Sequence, residues 1–281
     1  MALGVKVWRA QGARAFFGRL VDVRLWLPKV WSGHGLAAHD EEYQLWLAQN
    51  APSPEDLERM RATSATWRRR PLISIVVPVY NPQAEWLRSA LQSVVDQAYT
   101  NWELAIADDA STRPYVRPIL QEFAARDDRV KLVFREQNGN ISAASNSALK
   151  VATGEFVGFL DHDDLLSPDA LYEVAAYINS DPEADVVYSD EDKLLARGRR
   201  WRPFFKPDWS PDLLLRTNYI CHFAVIRRSL VESIGGLRLG YEGAQDYDLI
   251  LRATENARHV GHVAKPLYTW SQVKGSMALS A

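Results

Sequence analysis

A short acidic run follows an apolar segment near the middle of the chain. The apolar residues 156–160 lead directly into Asp161, His162, Asp163 and Asp164. A buried strand that ends in carboxylates delivers them to the edge of a sheet, and open α/β sheets bind ligands at the carboxyl ends of their strands. Three carboxylates within four residues repel one another unless a cation lies among them, and Mg²⁺ and Mn²⁺ take oxygen ligands of this kind. Asp161 and Asp163 are therefore the first candidates for metal ligands.

The same residues have a simpler interpretation as an acidic turn before a helix. Ser167 supplies an N-cap, and Pro168 suits the first position of a helix. This interpretation explains the turn but not the strand that leads into it. The metal-site interpretation is therefore favoured.

The composition is that of a folded chain, and the net charge argues against nucleic acid as a partner. The 281 residues are 47% hydrophobic and include 10 Trp, which is enough for a sizeable core. A formal net charge of −2 gives no basic footprint over the whole chain, so no nucleic-acid partner is expected. The single Cys221 cannot form an internal disulfide, which suits a reducing cytoplasm.

The N-terminal segment combines basic and aromatic residues. Residues 1–31 carry six basic side chains against one acid, and charges interrupt every apolar stretch, so a cleavable signal is not expected. On a helix, Phe16, Leu20, Val23 and Leu27 share one narrow face, as in helices that lie in the membrane interface. A helix docked on a folded domain explains the pattern about as well. Peripheral membrane contact through residues 1–31 is thus one of two open interpretations.

The pattern of predicted secondary structure changes near residue 71. Before it, breaks rich in glycine and proline separate one or two helices, so residues 1–70 are predicted to be a helical extension and connector. After it, strands are predicted at 72–77, 104–107, 130–134 and 156–160, with amphipathic helices between them. This alternation predicts a mostly parallel α/β sheet with right-handed crossovers and helices on both faces, in one domain over residues 71–281.

Acidic pairs end two of these strands at the same predicted edge. Asp108 and Asp109 follow the second strand, where a dinucleotide fold would hold a ribose hydroxyl. The first strand-to-helix turn has no G-x-G-x-x-G, which argues against a nicotinamide oxidoreductase, and a Walker loop is absent from the sequence. Without a glycine cradle, a nucleoside diphosphate needs another positive charge, and a metal on Asp163 would supply it. The sequence therefore predicts a nucleotide and a divalent ion together.

An ordered set of motifs resembles the family-two glycosyltransferases of the GT-A fold. The motifs are Pro71 to Asn81, Asp108 to Thr112, Asn138 to Ser142, Phe159 to Asp164, and Tyr241 to Leu249. The resemblance covers roughly residues 71–278. Two further motifs, Tyr188 to Lys193 and Phe205 to Asp212, resemble a bacterial branch associated with O-antigen, rhamnan and other surface polysaccharides.

The resemblance implies a Rossmann-like sheet and a specific reaction. An inverting enzyme would move a sugar from a nucleoside-diphosphate donor to a hydroxyl of a glycan or lipid-linked acceptor, with Mn²⁺ or Mg²⁺ as cofactor. Such an enzyme would work in the cytoplasm, or peripherally at the inner face of the cell membrane if residues 1–31 bind it. The competing function is a catalytically silent nucleotide- or glycan-binding module of the same fold.

The family's site residues fall on particular positions of this sequence. The resemblance implies that the nucleotide sugar contacts Pro78, Tyr80, Asp108, Asp109, Asn138 and Asp161. Asp163 matches the metal ligand, although the Asp-His-Asp-Asp run can be read in two registers, so Asp161 also stands as a ligand. Asp246 matches the general base, a role that suits a carboxylate in a partly dry cleft. A simple N-cap is the alternative for Asp246.

One departure from the family pattern affects the metal. Relatives often carry a histidine in the strand after the base helix, where this chain has Thr269. Metal affinity is then weaker, or another residue such as His222 takes the place, or the enzyme is impaired. These three alternatives stay open at the level of sequence.

Overall fold

A computed structural model describes residues 35–195 and 198–271, and the chain divides into two compact units at residues 51 and 52. In the first unit, the described part is helix α1 (Gly35–Asn50). Among the described residues, no helix combines the length and apolar character needed to cross a bilayer. Residues 1–31, with their predicted membrane or domain contact, lie outside this part of the chain. The boundary predicted at residue 71 stays a prediction.

Helix α2 (Pro54–Ala65) opens the second unit with a capping box. The Ser53 hydroxyl accepts the Asp56 N–H at 3.1 Å, and the Asp56 carboxylate accepts the Ser53 N–H at 2.9 Å. These reciprocal bonds satisfy N–H groups that have no partner within the helix, so they fix where α2 begins.

Strands and helices then alternate, as the sequence predicts. The elements that follow are β1 (Ile73–Val79), α3 (Ala84–Val95), β2 (Trp102–Asp108), α4 (Val116–Arg126), β3 (Val130–Phe134), α5 (Asn140–Leu149), β4 (Phe156–Phe159), β5 (Leu165–Leu166), α6 (Ala170–Ser180), β6 (Ala184–Leu194), β7 (Arg200–Phe204), α7 (Pro211–Leu214), β8 (Ala224–Arg227), α8 (Arg228–Ser233), α9 (Gln245–Asn256) and β9 (His259–Ser271). The four predicted strands are confirmed as β1 to β4, with bounds within two residues of the predicted ones.

The strands form one sheet in the order β3-β2-β1-β4-β8-β6-β9-β5, with β7 paired to β6. Strands β3, β2, β1 and β4 are parallel to one another, which confirms the prediction for this half. In the other half, β8 runs antiparallel to both β4 and β6, while β6 and β9 are parallel. The short strand β5 pairs antiparallel with β9, and β7 pairs antiparallel with β6. The alternation in the first half of the sequence carries no information about this mixed second half.

Helices cover both faces of the sheet, as predicted. Ile75 and Val77 of β1 belong to a core with residues of α3, α4 and α6, whereas Val76 belongs to a second core with residues of α5, α8 and α9. Alternate residues of a strand face opposite sides of the sheet, so β1 serves both cores. Every residue of β1 is therefore buried.

A buried carboxylate cross-links the amino ends of the parallel strands, opposite the acidic runs. Glu103 of β2 is 5% exposed and accepts hydrogen bonds from Ser74 Oγ at 2.6 Å and from Lys131 Nζ at 2.6 Å. Thr153, just before β4, donates to it through Oγ1 at 2.8 Å. Gly154 lies so close that a Cβ there would stand 2.5 Å from Ser74 Oγ. One side chain thus ties together β1, β2, β3 and the entry to β4.

These bonds make the stability of the fold depend on the charge of Glu103. Burial alone would raise the pKa of Glu103, but the hydrogen bonds from Lys131, Ser74 and Thr153 outweigh it and lower the pKa to about 2. Because the folded-state pKa lies below the ordinary value of 4.5, the stabilisation is present above that pH and is lost as the pH falls toward 2.

We expect Glu103→Gln to lower the free energy of unfolding at pH 7 by about 3 kcal/mol, measured by urea denaturation. The difference from the unsubstituted chain should shrink as the pH is lowered below about 4.5, since the carboxyl then takes up a proton in the unfolded chain and, near pH 2, in the folded chain as well. Glu122→Gln is the control, because Glu122 pairs with Arg88 at the surface at 2.7 Å and should matter little. Equal losses in the two variants would contradict this account of Glu103.

Candidate active site

The carboxyl ends of β2, β1 and β4 lie side by side. Val79 of β1 is in register with Asp108 of β2, and Val76 of β1 is in register with Phe159 of β4. The acidic pair after β2 and the acidic run after β4 therefore flank the end of β1. The structure places both at one edge of the sheet, as the sequence predicts.

A cleft opens at this edge. Its apolar walls include Ile141, Phe159 and Leu249. Its polar lining comes from the acidic run, from the loop before β8 and from the start of α9, and includes Asp161, Cys221, His222, Gln245 and Asp246. Three separate segments of the chain thus bring chemically active side chains to one cavity.

Negative charge is concentrated in this cleft. Burial among the cleft walls, together with the charges of Asp163 and Asp246, raises the pKa of Asp161 to about 7, although 40% of its side chain is exposed. His222 Nε2 lies 4.0 Å from Asp161 Oδ2. Among the described residues, none forms a hydrogen bond or ion pair with the Asp163 carboxylate, whose oxygens are thus available. Carboxylate oxygens are the ligands that Mn²⁺ and Mg²⁺ prefer, so Asp161 and Asp163 fit such an ion, and the imidazole of His222 lies beside Asp161.

The last acid of the run has a structural role. Asp164 is buried and accepts hydrogen bonds from Tyr268 Oη and from the Ser271 N–H, each at 2.7 Å. The Tyr268 hydroxyl also accepts the Asp161 N–H at 3.3 Å. Asp164 therefore fastens β9 to the acidic run, which leaves Asp161 and Asp163 as the ligand candidates.

His222 enters the cleft from the loop before β8. Its ring stacks on Tyr268, with centroids 4.7 Å apart, and contacts Trp270 at 5.2 Å. Burial lowers the pKa of His222 to about 4 against the opposing charge of Asp246, so the ring is neutral at pH 7 with a lone pair available. Thr269 is buried within β9 and pairs across strands. The imidazole that lies beside Asp161 is therefore that of His222.

A buried ion pair, Glu191 with Lys206, forms hydrogen bonds to the backbone N–H and the carbonyl of His222, and this arrangement is called the clamp. Glu191 accepts the His222 N–H at 2.7 Å, and Lys206 Nζ donates to the His222 carbonyl at 2.6 Å and to Glu191 at 2.9 Å. Burial lowers the pKa of Lys206 and raises that of Glu191, and the opposite charge of each partner counters the shift. Sequence reasoning missed this clamp. The sequence feature that could have indicated the clamp is the acidic run within the buried strand β6.

Asp246 lies in the first turn of α9 and is not its cap. The helix begins at Gln245, and its N-cap is Ala244, so the cap alternative for Asp246 is wrong. Asp246 Oδ2 accepts a hydrogen bond from Asn218 Nδ2 at 2.9 Å, a partner that the sequence did not indicate. Asp248 in the same turn is buried and paired with Arg252 at 2.6 Å. Asp246 is therefore the acid of this turn that lines the cleft.

The residues predicted to contact the nucleotide are spread along the edge of the sheet. Pro78 lines the cleft with Asp161, and its carbonyl lies 3.2 Å from His162 Nδ1. Tyr80, immediately after β1, leaves 47% of its surface exposed. Such an exposed aromatic ring offers a flat surface on which a base can stack.

Asp108 and Asp109 are both buried, and Asp109 organises the neighbouring loop. Its carboxylate lies 2.7 Å from Arg135 Nε and accepts the Gly139 N–H at 3.0 Å. Its carbonyl accepts a hydrogen bond from the exposed Asn138 Nδ2 at 3.3 Å. Asp109 thus positions the segment between β3 and α5, in which Asn138 faces solvent.

Comparisons with known proteins agree in family and fold. A family model described as glycosyl transferase family 2 matches residues 74–235. The uncharacterized protein y4gI of Sinorhizobium fredii is 51% identical over 212 residues, which are 75% of this chain and 23% of that protein. The O-antigen biosynthesis protein RfbC of Myxococcus xanthus is 44% identical over 227 residues, 81% of this chain and 18% of that protein. The chain thus spans less than a quarter of the length of these curated relatives.

A solved structure extends the comparison to bound ligand. S. aureus TarS, residues 1–349 in complex with UDP-GlcNAc, matches with a TM-score of 0.63 and 26% sequence identity. The match covers 74% of this chain and 61% of that chain. The fold is therefore of the GT-A type, as the sequence predicts.

The clamp around His222 predicts an asymmetric response to substitution. Lys206→Met should lower the free energy of unfolding by about 3–5 kcal/mol in urea denaturation, because Glu191 is left buried without its partner. Adding Glu191→Gln should restore part of the loss, since no uncompensated charge remains. Lys265→Met is the control, because Lys265 pairs with Glu173 at the surface at 2.7 Å. If Lys206→Met lowers the free energy of unfolding no more than the control does, this role of the ion pair is contradicted.

Proposed function

The chain belongs to glycosyltransferase family 2, and we propose that it transfers a sugar from a nucleoside-diphosphate sugar to an acceptor hydroxyl with inversion at the anomeric carbon. One observation carries the proposal. Asp246 and Asp161, the first acid of the run after β4, line one cleft, and the charge of Asp246 adds to burial and the charge of Asp163 in raising the pKa of Asp161. A base for the acceptor and a charged site for the donor are what a single displacement needs.

The donor fits the edge formed by β2, β1 and β4. Base and ribose contacts are assigned to Pro78, Tyr80, Asp108 and Asp109, with Asn138 as a further contact of the nucleotide sugar and Asp161 on the nucleotide side. The exposed ring of Tyr80 would stack on the base, while Asp109 holds the loop that presents Asn138. UDP-GlcNAc bound to the related TarS supports a nucleotide sugar as donor.

Asp163 and Asp161 would hold Mn²⁺ or Mg²⁺, with the neutral imidazole of His222 in place of the histidine that Thr269 replaces. A bound divalent ion would stabilise the negative charge that develops on the departing diphosphate. The chain's own contribution is to fix these donors in advance. Glu191 and Lys206 hold the His222 backbone, and Tyr268 holds the backbone of Asp161.

Asp246 accepts the proton of the acceptor hydroxyl. As that proton leaves, the hydroxyl oxygen bonds to the anomeric carbon from the face opposite the diphosphate, and the bond from that carbon to the diphosphate oxygen breaks. Asn218 donates to Asp246 Oδ2, which orients the carboxylate and leaves Oδ1 for the proton. Attack from the opposite face inverts the configuration at that carbon.

The acceptor is assigned to a glycan or a lipid-linked sugar in cell-surface polysaccharide synthesis. The name of RfbC, an O-antigen biosynthesis protein, supports this context. A cytoplasmic location, peripheral at the membrane if residues 1–31 bind it, suits the single cysteine.

A silent nucleotide- or glycan-binding module is the second candidate, and Thr269 is the observation that favours it. Incubating the full chain with Mn²⁺, a panel of sugar nucleotides and simple glycan acceptors separates the two. An enzyme releases nucleoside diphosphate faster when an acceptor is present. A silent module binds the nucleotide without turnover.

Asp163→Asn should weaken binding of UDP measured calorimetrically in the presence of Mn²⁺ by about 10- to 100-fold. The loss follows because a charge-assisted ligand is worth roughly 1.5–3 kcal/mol. Asp128→Asn, which changes an exposed acid in the loop before β3, is the matched control and should bind as the unsubstituted chain does. Unchanged affinity in Asp163→Asn would rule out Asp163 as the ligand.

Asp246→Asn should lower turnover by about 10²- to 10⁴-fold, the usual contribution of a general base, while the affinity for the donor nucleotide changes little. Glu255→Gln, an exposed acid at the other end of α9, should keep normal turnover. Near-normal turnover in Asp246→Asn would move the base elsewhere. Glu242 would be the next candidate, since Asp248 is already paired with Arg252.

A further inference from the structure

We propose that Cys221, His222 and Asp246 form a second metal site that binds Zn²⁺ and blocks the reaction. One ligand atom from each residue, a sulfur, a ring nitrogen and a carboxylate oxygen, lies within 4.8 Å of the other two. All three residues line the cleft, so an ion can reach them. The site shares only His222 with the ligands assigned to Mn²⁺ or Mg²⁺.

The chemical types of the three ligand atoms favour zinc. Thiolate, imidazole and carboxylate are the ligands that Zn²⁺ takes in proteins, whereas Mg²⁺ and Mn²⁺ prefer oxygen. Zinc–ligand distances of about 2.0–2.3 Å in tetrahedral geometry place ligand atoms roughly 3.5 Å apart. The three side chains must therefore draw together by about 1 Å.

The surroundings hold these ligands near one another. Cys221 and His222 are adjacent in the loop before β8, and Glu191 and Lys206 grip that loop through the backbone of His222. Asn218, three residues before Cys221, donates to Asp246 at 2.9 Å and so connects the same loop to the start of α9. Outer-shell contacts of this kind orient metal ligands and strengthen binding.

Binding exchanges one proton for the ion. The Cys221 thiol releases H⁺ to solvent and its sulfur becomes a zinc ligand, His222 contributes a nitrogen lone pair and Asp246 a carboxylate oxygen. No electron is transferred, and three protein ligands leave a fourth position for water. An Asp246 oxygen bound to zinc cannot accept the acceptor's proton. Inhibition therefore rests on the proposed function, whereas binding does not.

Co²⁺ tests the site by spectroscopy, because a thiolate bound to Co²⁺ gives a strong charge-transfer band. The chain has a single cysteine, so such a band has one source. We expect the full chain to develop the band on titration with Co²⁺ and to lose it on addition of Zn²⁺. Cys221→Ser should abolish the band and weaken Zn²⁺ affinity, measured by competition with a chelator, by at least about 10- to 100-fold.

His259→Gln is the matched control. His259 Nδ1 lies 3.3 Å from the Asp181 carboxylate at the surface, so this pair offers an imidazole and a carboxylate without a thiol. The substitution should leave both the band and the Zn²⁺ affinity unchanged. In the Mn²⁺-supported reaction, Zn²⁺ should inhibit the unsubstituted chain, and Cys221→Ser, normalised to its own zinc-free rate, should need correspondingly more Zn²⁺.

Two results would overturn the site. One is the absence of the Co²⁺ band in the unsubstituted chain. The other is a Zn²⁺ affinity that Asp163→Asn abolishes and Cys221→Ser leaves intact, because zinc would then simply occupy the donor-side ligands. A Co²⁺ band in a chain that transfers no sugar under any condition would support the site and contradict the proposed function instead.

Discussion

Repulsion among carboxylates at one edge of the sheet is the constraint on which the rest of the structure depends. Asp161, Asp163 and Asp246 are brought toward one cleft by two distant parts of the chain, and burial together with the charges of Asp163 and Asp246 raises the pKa of Asp161 to about 7. A fold that keeps such a site must be stabilised elsewhere. Glu103 of β2 does this at the opposite ends of the strands, where its carboxylate satisfies donors from β1, from β3 and from the segment before β4.

The polar groups buried around the cleft act mainly by fixing positions. A buried ion pair contributes little net stability, because desolvation offsets much of its attraction. Lys206 and Glu191 instead use their remaining hydrogen-bonding capacity on the backbone of His222. Asp164 similarly fastens β9 to the acidic run through Tyr268 and Ser271. The result is a cleft whose reactive groups are held before any ligand arrives, which is the condition for electrostatic stabilisation without reorganisation.

Local pattern made part of this structure predictable. Strands β1 to β4 and the acidic runs that follow β2 and β4 are written in short stretches of sequence, so their positions and their common edge were predicted correctly. The second half of the sheet depends on pairings between distant segments, such as Ala184 with His259, and no local pattern reports these. The partners of buried charges were hidden for the same reason. Glu191 meets Lys206 only because β6 is enclosed by β8, β9 and β7.

The central claim is that Asp246 and the acidic run after β4 work as one site in a single displacement. The configuration of the product at the transferred sugar's anomeric carbon tests this most directly, and proton NMR of the product formed from a donor of known configuration reads it. A single displacement predicts the configuration opposite to that of the donor, observed from the first turnovers. A product that retains the donor's configuration would contradict this mechanism, because two displacements would need a protein nucleophile in addition to the base Asp246.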